Sequence, residues 1–221
     1  MNRGPTPPTK AKTLTSTLED PESPEGLWNF LLDVPNTVTL AGLAAGLGAV
    51  GLVAQSRYAP ALAAALIAIL IDQVDGRLAL ARPQRSAAVA AFGAHLDCYA
   101  DLVSKGLFPA LMLLTLGDFS PGYWAIGGLH LGAIAVRYSY EFVPGARRRG
   151  ISPDYSVVSF ALLFLAEPRL GDHYSTVLAS TMLLMAGLNL APFSSPKLSG
   201  SALVAFMVIL VGLAALLLGG Y

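Results

Sequence analysis

The sequence predicts an all-α protein built as a polytopic bundle of transmembrane helices. Hydrophobic residues make up 54% of the chain and charged residues only 13%, against roughly 25% charged residues in an average soluble domain. The apolar residues also come in long blocks, and a helix needs about 20 such residues to cross the hydrocarbon core of a bilayer. A soluble bundle would need a polar face on each helix, and blocks of this kind leave none.

Seven such blocks, each with few charges, are predicted to be membrane spans. They cover residues 37–54, 59–80, 87–116, 122–140, 152–167, 174–192 and 200–219. The last block ends in Gly219-Gly220-Tyr221 without a polar tail, so its assignment as a span depends on its apolar length alone.

The residues before the first span differ in composition. Residues 1–26 are rich in Pro, Thr, Ser, Lys and Glu, which predicts a disordered cytoplasmic tail. They lack the apolar stretch of a signal peptide, so none is expected. Residues 27–35 mix aromatic and aliphatic side chains, which favours a short helix at the membrane interface with Trp28 at headgroup level. A flexible linker is the alternative.

The basic residues predict the orientation, because cytoplasmic loops are enriched in Lys and Arg. Most of those after the tail fall in alternate connections, namely Arg77, Arg82, Arg85, Arg147, Arg148, Arg149 and Lys197. A cytoplasmic N-terminus in the inner (plasma) membrane puts all of them on the cytoplasmic side. The net charge is zero, which gives no case for nucleic-acid binding. The single Cys98 excludes an internal disulfide framework.

Four aspartates lie within the predicted spans, where a charged side chain is costly and marks a functional site by default. Asp72 and Asp75 stand three residues apart near the cytoplasmic end of span two, and Asp97 and Asp101 stand four apart near the start of span three. These spacings put each pair on one helix face. Because a cytoplasmic turn joins the two helices, we expect all four carboxylates to lie close together.

Four unpaired carboxylates in one place would repel one another, so they need cations. Oxygen ligands alone favour Mg²⁺ or Mn²⁺, and two such ions on a phosphate can stabilise the attacking and leaving oxygens of an in-line displacement. One alternative is a structural ion-pair cluster with Arg77, Arg82, Arg85 and Lys105. Another is the proton relay of a transporter. Relay acids would favour the bilayer midplane, however, and no inverted internal repeat is visible.

The order of these residues resembles the signature of the CDP-alcohol phosphatidyltransferase family, D-x2-D-G-x2-A-R-x8-G-x3-D-x3-D. The two halves here read Asp72-Gln-Val-Asp75-Gly76-Arg-Leu-Ala79 and Phe92-Gly93-Ala-His-Leu96-Asp97-Cys-Tyr-Ala-Asp101. Upstream, Pro35-Asn36-Thr37-Val38-Thr39 is similar to the start of the family's first span. The resemblance covers roughly residues 34–195. It implies a six-helix membrane domain over residues 36–195, with residues 196–221 as an extra C-terminal transmembrane helix.

Two features depart from the family pattern. Position 80 is Leu where an Arg should follow Ala79, and the interval from Gly76 to Gly93 is four residues longer than the pattern. Four residues make about one helical turn, so the same faces can still point inward. Arg82 and Arg85 are the candidates for the missing arginine, which would contact phosphate.

The resemblance implies that an alcohol hydroxyl displaces CMP from a CDP-linked lipid such as CDP-diacylglycerol. The implied metal ligands, for two Mg²⁺ or Mn²⁺ ions, are Asp72, Asp75, Asp97 and Asp101, and Asp101 is also the implied general base. The residues implied to contact the CDP-lipid are Asn36, Gly76, Ala79, Arg82 and Gly93. For Asn36 the alternative is an N-cap of the first span. Membrane lipids and a second copy of the chain, in a homodimer, are the other partners that the resemblance implies.

The alcohol is predicted from the residues after Asp101. The run Asp101-Leu-Val-Ser104-Lys105-Gly106-Leu-Phe-Pro109-Ala110 resembles phosphatidylserine synthases of the family, except that Lys105 replaces a Phe. Arg137 fits the same layout, so L-serine is the expected alcohol and Lys105 and Arg137 are its candidate binding residues. Lys105 with the basic residues 147–149 would also suit a phosphorylated alcohol such as glycerol 3-phosphate or inositol phosphate. The two substitutions, Leu80 and Lys105, leave a non-catalytic member of the fold as a further alternative.

Overall fold

The structure is a computed structural model, and it describes residues 26–146, 149–193 and 198–220. Within these ranges the secondary-structure elements are all helices, which confirms the predicted fold class. The expectations for the tail before residue 26, for Arg147 and Arg148, for Lys197 and for Tyr221 fall outside the described residues.

Ten α-helices make up the described part of the chain. They are α1 (Leu27–Leu31), α2 (Val34–Ala54), α3 (Tyr58–Leu80), α4 (Ala87–Asp101), α5 (Phe108–Leu116), α6 (Pro121–Glu141), α7 (Asp154–Leu165), α8 (Glu167–Leu170), α9 (Tyr174–Asn189) and α10 (Gly200–Leu218). A π-helical segment, Leu102–Leu107, joins α4 to α5, so one continuous rod runs over Ala87–Leu116. Each predicted span contains a helix, and α1 is a short helix rather than a linker.

Four helical segments are long and apolar enough to cross a membrane: α2, α3, the rod Ala87–Leu116 and α10. Helix α7 is apolar but has only 12 residues, about 18 Å of helix against a hydrocarbon core of about 30 Å. Helices α6 and α9 are also not among the segments that are both long enough and apolar enough to cross. The polytopic membrane bundle is therefore confirmed by four of the seven predicted spans, and for the other three the crossing stays a prediction.

The apolar core explains why the acidic residues gather at one end of the bundle. Its residues on α3, including Leu62, Leu66 and Ile69, precede Asp72, whereas those on α5, including Phe108 and Met112, follow Asp101. Because the chain reverses direction between the two helices, both sets of core residues lie on the same side of the acidic residues. The aspartates therefore sit at the end of the core where α3 turns into α4.

Two glycines let α2 approach its neighbours closely. A Cβ on Gly42 would lie 3.3 Å from Ile71 Cγ2, and a Cβ on Gly46 would lie 3.0 Å from Ser104 Cβ. The four-residue spacing of these glycines is typical of closely packed membrane helices. Through Gly46, α2 packs directly on the π-helical segment that follows Asp101.

Changing Gly46 to Ala is expected to destabilise this packing. The new methyl group would press on Ser104, whose Cα and N lie 3.3 and 3.5 Å from it, and backbone cannot move aside as a flexible side chain can. We expect a cost of about 1–3 kcal/mol, measured as a lower midpoint of thermal unfolding in detergent. The matched control is Gly48→Ala, because a Cβ there meets no described atom within 4 Å. An equal loss of stability in both variants would contradict the close packing at Gly46.

Candidate active site

The two aspartate pairs meet at this end of the bundle. Asp72 on α3 and Asp97 and Asp101 on α4 each offer a carboxylate oxygen, and these oxygens lie within 4.8 Å of one another. Asp75, one turn further along α3, is buried and lines the same cavity. The structure thus brings together all four carboxylates that the helical spacing predicted to be neighbours.

The neighbouring side chains satisfy these carboxylates unequally. The Thr39 hydroxyl on α2 donates a hydrogen bond to Asp75 Oδ2 at 2.5 Å. The Tyr138 hydroxyl on α6 donates to Asp101 Oδ2 at 2.6 Å. By contrast, Asp97 Oδ1 is buried and has no hydrogen-bond partner among the described residues. A buried carboxylate oxygen without a donor is expensive, so this position fits a bound cation.

Lys105 enters the acidic cluster from the π-helical segment. Its Nζ lies 2.9 Å from Asp72 Oδ2, 2.7 Å from Asp101 Oδ1 and 2.6 Å from Asp154 Oδ1, and its side chain is only 3% exposed. Asp154 is the first residue of α7, and its other carboxylate oxygen accepts a hydrogen bond from Ser152 at 2.9 Å. Lys105, which the sequence predicted to bind the alcohol, therefore links α3, α4 and α7.

The backbone around Lys105 is held by α6. The π-helical segment widens the turn after Asp101, and such segments inside α-helices are frequent at functional sites. His130 is fully buried, and its Nε2 lies 3.2 Å from the carbonyl oxygen of Lys105. A Cβ on Gly106 would lie only 2.9 Å from Leu131 Cδ1. Close packing on α6 therefore fixes the backbone from which the Lys105 side chain extends.

A cavity of about 670 Å³ opens beside the acidic cluster. Its walls come from α2, α3, α4, the π-helical segment, α6, the start of α7 and the first turn of α10. The residues predicted to contact substrate that line it are Asn36, Gly76, Ala79, Gly93, Lys105 and Arg137. Arg82 is exposed in the turn after α3 and is not part of the wall, whereas Arg85 is.

Arg85 joins the start of α2 to the cavity wall. Its guanidinium forms an ion pair with Asp33 at 2.7 Å and donates to Asn36 Oδ1 at 2.8 Å. Asp33 caps α2 by accepting a hydrogen bond from the Asn36 N–H. The N-cap alternative for Asn36 is therefore wrong, since the aspartate three residues earlier fills that position. A Cβ on Gly93 would overlap Asn36 Oδ1, so any larger residue here would displace the Asn36 side chain.

Gly76 has a different environment. A Cβ there would meet no described atom within 4 Å, although the residue lines the cavity. The absence of a side chain at this point leaves open space on the wall next to Asp75. Gly93 therefore accommodates a side chain of the protein, whereas Gly76 leaves room for a molecule in the cavity.

Arg137 holds the segment before α7 in place. It donates hydrogen bonds to the carbonyl oxygens of Arg149 and Asn189, the latter at 3.1 Å, and its Nε lies 3.7 Å from Glu141 Oε1. Because Asn189 ends α9, this side chain links α6, α9 and the approach to Asp154. Arg137 is thus both a cavity-lining residue and a structural tie.

Sequence analysis missed three site residues: Thr39, Tyr138 and Asp154. Asp154 could have been found, because it is an acidic residue inside a predicted span, and such residues mark functional sites by default. Thr39 ends the stretch that resembles the start of the family's first span, although nothing in the sequence indicates that its hydroxyl contacts Asp75. Tyr138 carries no comparable signal, since neutral hydroxyls are common in membrane helices.

The acidic cluster fits a divalent metal ion. Three carboxylates converge within 4.8 Å, and an oxygen-only donor set suits Mg²⁺ or Mn²⁺. The unpartnered Asp97 Oδ1 is the observation that favours an ion over a cluster satisfied by protein cations alone.

The family model described as CDP-alcohol phosphatidyltransferase matches residues 32–218 of the chain. The match extends past the region of resemblance in the sequence and takes in α10. A comparison with curated proteins yields no match.

Proposed function

The chain belongs to the CDP-alcohol phosphatidyltransferase family, and from this membership we propose that it transfers a phosphatidyl group from CDP-diacylglycerol to the hydroxyl of L-serine. The family is one of phosphotransferases, so transfer of a phosphatidyl group from a CDP-alcohol to an alcohol is its reaction. The donor lipid and the serine acceptor are the proposed part. The observation that carries the proposal is the convergence of three aspartates, with Asp75 as a fourth nearby, at the lining of a cavity of about 670 Å³.

In the proposed reaction the serine hydroxyl oxygen attacks the phosphorus atom that carries the diacylglycerol. The new P–O bond forms as the bond to the CMP oxygen breaks, and CMP leaves with the bonding electron pair. Asp101 accepts the hydroxyl proton as general base. The residues that would hold Mg²⁺ or Mn²⁺ are Asp72, Asp75, Asp97 and Asp101. When bound, the ion would supply charge neutralisation at the diphosphate.

The cytidine diphosphate is proposed to occupy the part of the cavity beside Gly76, Ala79 and Gly93. Support comes from the open space at Gly76, where a nucleotide can lie close to the backbone of α3. Asn36 faces the same space from α2. For the missing arginine we propose Arg85 in place of Arg82, because only Arg85 lines the cavity. Its guanidinium has five N–H donors, and the bonds to Asp33 and Asn36 leave part of them for phosphate.

The charges around Lys105 support serine over a phosphorylated alcohol. Three carboxylates lie within 2.9 Å of its Nζ, so its positive charge is already matched and offers little to a second phosphate. Asp154 lines the cavity and can accept hydrogen bonds from the ammonium group of an amino alcohol. Arg137 remains the candidate residue for the serine carboxylate.

We further propose that the protein lies in the inner (plasma) membrane with its N-terminus and the acidic site on the cytoplasmic side. The basic residues after α3 support this orientation, because Arg77, Arg82 and Arg85 lie at the same end of the bundle as the aspartates, and cytoplasmic loops are enriched in Lys and Arg. A homodimer, expected from the family resemblance, belongs to the same proposal.

The test is CMP release by the purified protein in detergent with CDP-diacylglycerol and Mg²⁺ or Mn²⁺. The alcohols are L-serine, glycerol 3-phosphate and inositol phosphate, each offered separately. We expect CMP and phosphatidylserine with L-serine. CMP release only with a phosphorylated alcohol would overturn the assignment of serine as the acceptor but would still support phosphatidyl transfer to an alcohol. Failure of every alcohol with either metal would overturn the proposed function.

A further inference from the structure

A lysine ammonium lies where the acidic site would hold cations. Lys105 Nζ contacts Asp72 and Asp101, two of the three aspartates whose oxygens converge within 4.8 Å. The resemblance to the family implies two divalent ions among these acids. The lysine adds a third positive group to the same small volume, so its charge must be counted together with that of the ions.

We propose that the Lys105 ammonium is a built-in cation that replaces one of the two expected ions, so that the site takes up a single Mg²⁺ or Mn²⁺. This inference rests on the proposed function in that it concerns the metal site of the same reaction. The inference adds to the proposed function a quantity that can be measured separately, the number of ions bound per chain.

The contacts of Lys105 make it a fixed component of the site. Its side chain is 3% exposed, and its Nζ has a carboxylate oxygen within 2.9 Å on each of three separate segments: α3, α4 and α7. The backbone carbonyl of Lys105 is engaged by His130 on α6. The contact of Nζ with Asp72 Oδ2 is a hydrogen bond, and those with Asp101 and Asp154 are ion pairs. Withdrawal of this group would leave Asp154 buried without its cation, which is unfavourable.

The carboxylate oxygens are divided between the lysine and the remaining position. Asp101 uses Oδ1 for Lys105 and Oδ2 for the Tyr138 hydroxyl, while Asp72 uses Oδ2 for Lys105. Asp97 takes part in none of the described ion pairs, and its Oδ1 is buried and has no hydrogen-bond partner among the described residues. One position, next to Asp97, therefore still needs a cation. A second divalent ion near Lys105 would compete with the ammonium for the same oxygens and be repelled by it.

The test counts bound Mn²⁺ on the purified full-length protein in detergent, without lipid or alcohol, by the electron paramagnetic resonance signal of free Mn²⁺. We expect the wild type to bind one ion per chain. Lys105→Met keeps the unbranched side chain up to the ε position and removes the ammonium group, and this variant should bind two. Two Mn²⁺ ions in one site lie roughly 3.5–4 Å apart, so a spin-coupled signal should appear only in the variant.

Arg77→Met is the matched control. Arg77 is an exposed cation on the wall of the same cavity, and none of the described ion pairs joins it to the aspartates. Its removal should leave one ion per chain. Two ions, or none, in the wild type would overturn the inference even if the Lys105 variant failed to fold. A single ion in folded Lys105→Met would overturn it as well.

The two proposals can fail separately. Wild type that binds two ions and releases CMP would refute the built-in cation and keep the transferase. Wild type that binds one ion but releases no CMP with any alcohol would keep the built-in cation and refute the proposed reaction.

Discussion

Replacement of Asp101 by Asn is expected to lower the rate of CMP release by roughly 10²–10⁴-fold, the usual contribution of a general base. Asn cannot accept the proton of the alcohol. It also loses the ion pair between Asp101 Oδ1 and Lys105 Nζ, now 2.7 Å long, while its size and shape are conserved. The measurement is kcat for CMP release at saturating CDP-diacylglycerol, Mn²⁺ and serine.

The matched control for this variant is Asp118→Asn. Asp118 is an exposed residue in the turn between α5 and α6, and its φ of 49° is one that Asn also adopts readily. It should keep full activity. A rate for Asp101→Asn within a few-fold of the wild type would remove Asp101 from the role of base. A normal rate at saturating Mn²⁺ together with weaker Mn²⁺ binding would mean that Asp101 is only a metal ligand, whose loss a high Mn²⁺ concentration compensates.

The four aspartates were predictable as a group because their geometry is local. Spacings of three and four residues fix a helix face, and a short turn between α3 and α4 forces the two faces to meet. The structure needs only these two elements to bring Asp72 close to Asp97 and Asp101. The membrane class was predictable for the same reason, since the apolar length of a segment is visible in the sequence alone.

The cationic side of the site was less predictable because it depends on tertiary packing. Asp154 and Asp72 reach Lys105 from helices that are far apart in the sequence. The π-helical segment that presents Lys105 depends on contacts with His130 and Leu131 on α6. No local pattern encodes a combination of this kind.

The choice between Arg82 and Arg85 was open for a related reason. Both follow α3 within a few residues, and the sequence does not show which of them points inward. The turn 81–86 decides it, because Asp33 at the start of α2 forms an ion pair with Arg85 at 2.7 Å. This partner is 52 residues away in sequence, so only the folded bundle identifies it.

Replacement of Gly150 by Ala is expected to disturb both stability and activity. Gly150 has φ +68°, and a Cβ there would overlap the backbone carbonyl oxygens of Leu188 and Asn189. Its N–H donates to the Phe193 carbonyl oxygen at 2.6 Å, and the next N–H, of Ile151, donates to Leu188 at 3.1 Å. The segment that leads to Asp154 is therefore held against the end of α9, and an added methyl group must push it away.

For Gly150→Ala we expect a loss of about 2 kcal/mol or more from the strained φ and the overlap together, and hence a fall of roughly 4–8 °C in the unfolding midpoint. CMP release should also fall, because displacement of Asp154 removes one of the three carboxylates around Lys105. The control is Gly145→Ala, which has φ +78° but open space around its Cβ. It should show the cost of the backbone strain alone and keep its activity. Equal effects in the two variants would mean that the contact with α9 does not position Asp154.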